Sequence, residues 1–160
     1  MQFFQDYCRR HTNLKYLSAD LSSPLAMDHV DLTQAPYSNN QFDLILCSHV
    51  LEHIPDDRAA LAELWRILTP GGQILIQVPL HGSQTLEDPS IVSMEDRELH
   101  FGQRDHVRVY GPDITDRLTA TGFHLRIIAG TAFLTAAEMK LYGIDAGEVL
   151  FACEKPSVRG

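Results

Sequence analysis

Hydrophobic and polar positions follow two rhythms along this chain. Phe42–Ser48, FDLILCS, is a nearly unbroken apolar run, the pattern of a parallel strand buried on both faces. Asp56–Leu68 switches to helical spacing, with Leu61, Leu64, Trp65 and Leu68 on one face. Pro55 precedes it, and Asp56 or Asp57 can cap its free N–H groups. TPGG then stops the helix, its glycines permitting positive φ, and Gln73–Pro79, QILIQVP, is a second apolar strand. Strand, helix and strand in this order make a βαβ unit, whose strands pair in parallel.

The flanks are less regular. Phe3–His11 has helical spacing, Leu14–Leu21 is strand-like, and Met27–Leu32 fits a short strand. Downstream, Pro112–Gly122 predicts a helix, and FHLRIIAG and GEVLFACEK predict strands with a possible helix, TAAEMKLYG, between them. Alternating strands and helices imply an α/β sheet covered on both faces. No repeat or linker divides residues 1–160, so a single domain is expected.

Composition narrows the partners. The chain has 160 residues, is 44% hydrophobic and carries a formal charge of -8. An acidic surface is poorly suited to nucleic acid or anionic membranes, both held mainly by Lys and Arg. No apolar run approaches the ~18 residues of a membrane span. Cys8, Cys47 and Cys153 are far apart and include no C-x-x-C, as in a reduced, cytoplasmic protein without structural zinc.

The stretch CSHVLEHIPD, followed by LAELWRILTPGGQILIQVP, resembles the second half of a class I S-adenosylmethionine-dependent methyltransferase of the type 11 group. HVRVYGPDITDRLTATGF resembles the segment after that family's fifth strand. The resemblance covers roughly Tyr16 to Phe123. It implies a Rossmann-like, doubly wound, mostly parallel sheet of order 3-2-1-4-5-7-6, with S-adenosylmethionine as cofactor and a small-molecule acceptor. It also implies site residues. Asp20 matches the acid that accepts hydrogen bonds from the cofactor ribose. Asp31, followed by Leu32, matches the position that meets the adenine. Cys47, Ser48 and His49 match the pocket wall, at the strand ends where such sheets bind ligands.

Each position also has a plainer role open to it. Asp20 could serve a strand-end turn. Glu52 reads as a solvated acid favoured by a helix N-terminus, and His53 as a cap or packing residue. The polar stretch at about 81–110 stands where the family builds a substrate lid. It offers His106 as a base deprotonating the acceptor, or else a residue bonding loop backbone. It has no H-x-x-x-H spacing, and no metal site is expected.

The family's D-x-G-x-G-x-G loop, which cradles the methionine end of the cofactor, is not in this sequence; the first glycine is Gly71. Two consequences are expected. This chain alone binds cofactor weakly, and the strands flanking the place of the family's first strand pair directly, stay as open edges, or recruit a strand from a second copy or a partner chain.

Overall fold

A computed structural model of the protein describes Cys8, Arg10, residues 14–145 and residues 147–157. Cys8 and Arg10 are helical; the rest of the helix expected at Phe3–His11 lies outside the described residues. The strands are β1 (Ala19–Asp20), β2 (Asp28–His29), β3 (Phe42–Ser48), β4 (Leu68–Gln77), β5 (Leu86–Glu87), β6 (Arg108–Val109), β7 (His124–Ala129) and β8 (Val149–Glu154). The helices are α1 (Asp57–Ile67), α2 (Met94–Phe101), α3 (Ile114–Ala120) and α4 (Ala136–Tyr142).

The βαβ unit forms as its pattern predicts. β3 and β4 pair in parallel, from Leu44 opposite Gln73 to Ser48 opposite Gln77. Asp56 caps α1, its carboxylate accepting from the Ala59 N–H at 2.9 Å. Lys155 closes the other end, its Nζ donating to the carbonyls of Trp65 (2.9 Å) and Leu68 (2.7 Å), where a cation also suits the helix dipole. Gly71 turns the chain at φ 81°.

The main sheet has the order β3-β4-β8-β7. It is mixed: β8 runs antiparallel to both β4 and β7. Beside β1 and β2, which pair in parallel, this matches the order 3-2 and 4-5-7-6 that the resemblance implies. The expected emphasis on parallel pairing applies to β1–β2 and β3–β4. An apolar strand reads the same whichever way its neighbours run, so β8 gave no sign of its direction. The strand expected over Leu14–Leu21 is only Ala19–Asp20.

One face of the sheet is the core. Cys47, Ile74, Ile76, Phe151 and Cys153 pack with Leu61 and Leu64 of α1 and Leu118 of α3. Each fully buried apolar side chain of this size contributes about 1.5–3 kcal/mol. The opposite face is different. Leu44 and Leu46 of β3 are 56% and 51% exposed, and no described strand pairs with the second edge of β3. Bare edges beside apolar surface template association. The chain alone is therefore expected to show an apparent mass that rises with concentration in light scattering. A monodisperse monomer at high concentration would contradict this. Among the described residues, no helix is long and apolar enough to cross a membrane.

Candidate active site

The C-terminal ends of β3 and β4 open into a cleft of about 380 Å³, within the usual size of small-molecule sites, ~300–1,000 Å³. His49 and Gln77 form one wall; Glu148 and Val149, at the start of β8, form part of the other. Polar side chains bridge the floor. The Ser48 hydroxyl donates to Gln77 Oε1 at 3.2 Å, and Gln77 Nε2 donates to Glu148 Oε2 at 3.1 Å. His49 is held by its N–H on the Gln77 carbonyl at 2.9 Å, with φ at 54°. A non-glycine residue in that region is uncommon, and such strain clusters at functional sites.

Asp20 and Asp31 lie at or just beyond the C-terminal ends of β1 and β2, as a ligand at strand ends requires. Both carboxylates already shape their loops. Asp20 Oδ1 accepts from the N–H groups of Ser22 (2.8 Å) and Ser23 (2.7 Å). Those backbone bonds hold its carboxyl below the usual range. Asp31 caps the 3-10 turn Leu32–Gln34, accepting from the Thr33 hydroxyl (2.7 Å) and N–H (2.8 Å), and these bonds lower its pKa likewise. Leu32 is half-buried against the core.

Cys47, expected in the pocket wall, faces the core instead. Its side chain is 4% exposed. Burial, followed by the nearby charge of Glu52, pushes its thiol up to about 12. Alternation along β3 explains this: Cys47 shares the inner face with Ile45, while Ser48 turns to the other side.

Glu52 departs most from expectation. It is 1% exposed, not solvated, because residues 101–108 fold over the 3-10 turn Leu51–His53. The Val107 N–H donates to the Glu52 carbonyl at 2.9 Å, which delivers His106 to the same place. His106 is 4% exposed, with its Nδ1 3.3 Å from the Phe101 carbonyl. Its ring meets that of His53 edge to face, the centroids 4.7 Å apart. The backbone-bonding role weighed for His106 is the one its geometry displays, and it does not line the cleft.

Sequence reasoning missed the group that locks this arrangement. Arg108 is 4% exposed. Its guanidinium donates to the carbonyls of Leu51 (3.0 Å), Ile54 and Pro55 (2.8 Å), and to Glu87 Oε2 (3.0 Å). Arg117 bonds Asp57 and Glu87, both at 2.7 Å, and the Tyr110 hydroxyl donates to Asp57 at 2.6 Å. The bonds to Arg117 and then Arg108 hold the Glu87 carboxyl below its ordinary range. An arginine and a tyrosine alternating with valines in HVRVY was the available signal: a charge inside an apolar alternation demands partners. The neck of the 81–110 segment is tied as well, the His81 N–H donating to the Tyr110 carbonyl at 2.8 Å.

Comparison with known proteins agrees with this architecture. Residues 5–76 match the model of a methyltransferase domain family. A demethylmenaquinone methyltransferase of Deinococcus radiodurans is 31% identical over 71 residues, 44% of this chain and 27% of its own length. The chain spans about a quarter of the length of the curated relatives it matches. Among solved structures, a SAM-dependent methyltransferase of Thermotoga maritima superposes with a TM-score of 0.56 at 17% identity, covering 81% of this chain and 63% of that one. Phosphoethanolamine N-methyltransferase 2 of Haemonchus contortus, solved in complex with S-adenosyl-L-methionine, gives a TM-score of 0.53 at 18% identity over 79% and 36%. The chain has the fold of these methyltransferase structures, and its residues 5–76 match a methyltransferase domain family.

Proposed function

We propose that the chain is part of an enzyme that transfers the methyl group of S-adenosylmethionine to a small-molecule acceptor. The observation that carries this reading is the placement of two carboxylates, Asp20 and Asp31, beside the ends of the parallel pair β1–β2, in a fold shared with methyltransferases. Carboxylates are the acceptors that ribose hydroxyls and an adenine amino group need. Asp20 would take the ribose and Asp31 the adenine, with Leu32, Ser48 and His49 as walls. The cofactor supplies a methyl already activated on sulfonium, so the protein's task is mainly to position the acceptor. The cleft beside His49 suits a small acceptor, and the 81–110 segment, tied at its neck, is its lid. Three free, buried cysteines fit a cytoplasmic setting.

The test is equilibrium binding of S-adenosylhomocysteine, by a method suited to weak affinity. Asp20→Ala is expected to weaken binding by about 1.5–3 kcal/mol, the range for hydrogen bonds to a charged group, roughly ten- to a hundredfold. Unchanged affinity in a folded variant would remove Asp20 from the site.

A further inference from the structure

The carboxylate of Glu52 poses a physical problem. It is 1% exposed, and neither Oε1 nor Oε2 has a hydrogen-bond partner among the described residues. Buried polar groups are almost always paired, and an unpaired one costs about 1–3 kcal/mol, more if charged. His49 Nδ1 approaches Oε1 to 3.3 Å without hydrogen-bond geometry. The carboxylate is open to a further partner.

Its surroundings are those of a cation site. Donor atoms of Glu52, His53 and His106 all lie within 4.8 Å of one another. Both histidine rings are oriented from behind. His53 Nδ1 lies 3.3 Å from Asp105 Oδ2, and His106 Nδ1 lies 3.3 Å from the Phe101 carbonyl. A ring that donates through Nδ1–H keeps its lone pair on Nε2, and carboxylate or carbonyl partners of this kind are the usual outer support of metal-bound histidine. The backbone beneath is rigid: Arg108 and Val107 fasten the carbonyls of Leu51, Glu52, Ile54 and Pro55. His49, 3.3 Å from the same carboxylate and in the cleft wall, stands on the open side.

We propose that Glu52, His53 and His106 bind one divalent first-row transition-metal ion, with His49 beside its open positions. Two imidazoles and one carboxylate suit zinc, cobalt, manganese or iron, whereas magnesium and calcium prefer oxygen donors alone. Metal–ligand bonds of roughly 2.0–2.2 Å require the three donors to draw together slightly, within reach of side-chain rotation. The absence of H-x-x-x-H spacing inside the 81–110 segment does not bear on this group. The ligands instead come from two segments that tertiary folding brings together.

Cobalt is the direct probe, because its visible absorption reports coordination. The chelator-treated full chain, titrated with cobalt alone, is expected to bind one ion with a visible band and a raised melting temperature; magnesium at the same concentration should do neither. Glu52→Gln replaces the carboxylate that lacks a hydrogen-bond partner with a neutral amide, so its metal-free melting temperature should equal or exceed that of the parent. Its cobalt affinity should fall by at least the ~10–100-fold that loss of an outer-shell partner costs. His106→Ala should fall likewise. No band and no thermal shift, or cobalt binding unchanged in Glu52→Gln, would overturn the assignment. Neither cofactor nor turnover enters these readings, so they stand apart from the methyltransferase proposal.

Discussion

Arg108→Ala is expected to lower the stability of the protein by about 3–5 kcal/mol, the cost of breaking a buried charge pair from one side. The guanidinium is 4% exposed and satisfies three carbonyls of the 51–55 turn together with Glu87. Alanine removes the donor to the carbonyls of Ile54 and Pro55 and leaves the Leu51 carbonyl only the Ile54 N–H and the Tyr110 hydroxyl. Asp57 keeps Arg117 and Tyr110, so the loss concentrates on the turn that carries Glu52 and His53. Arg108→Lys should restore less than half of it, because an ammonium cannot reproduce a planar fork that donates in several directions at once. Urea unfolding measures both variants, with the slope unchanged and the midpoint lowered. A loss below about 1 kcal/mol for Arg108→Ala would show that the turn is not held in this way.

Phe151→Ala should cost a similar amount, about 3–5 kcal/mol. Phe151 is 1% exposed in β8 and sits opposite Ile76 of β4 on one side and Ile127 of β7 on the other. The cavity would open in the middle of the core face. Leu46→Ala is the control. Leu46 is 51% exposed on the opposite face, and its truncation should change stability by no more than about 0.5 kcal/mol. Equal losses at the two positions would mean that the faces are not divided as described.

The contrast between these residues shows what could be read from sequence. β3, α1 and β4 were legible because periodicity is a local property, and their apolar rhythm changes sharply at Pro55 and Gly71. The direction of β8 was not, since direction belongs to a pair of strands. α2 was hidden for another reason. Its residues MEDRELHF offer little apolar face, and only its ends announce it: Ser93 accepts from the Asp96 N–H at 3.0 Å, and Gly102 closes the helix at φ 82°.

The site divides in the same way. Asp20, Asp31, Ser48 and His49 stand at strand ends, where the resemblance implied they would. Cys47, read with Ser48 and His49 as pocket wall, lies on the core face, because the pleat sets it opposite Ser48. Glu52 reads as a surface acid from sequence because glutamate usually is one. Its burial depends on His106, Val107 and Arg108, more than fifty positions away, and no local pattern could reveal that.

The central claim is that S-adenosylmethionine docks on the ends of β1, β2 and β3. Titrating the isotopically labelled chain with the cofactor and following backbone amide resonances tests it most directly, because the measurement registers even weak binding and reports its location. The account predicts progressive shifts confined to the neighbourhood of Asp20, Asp31, Leu32, Ser48 and His49. Resonances that stay fixed up to millimolar cofactor, or shifts gathered elsewhere on the molecule, would contradict it.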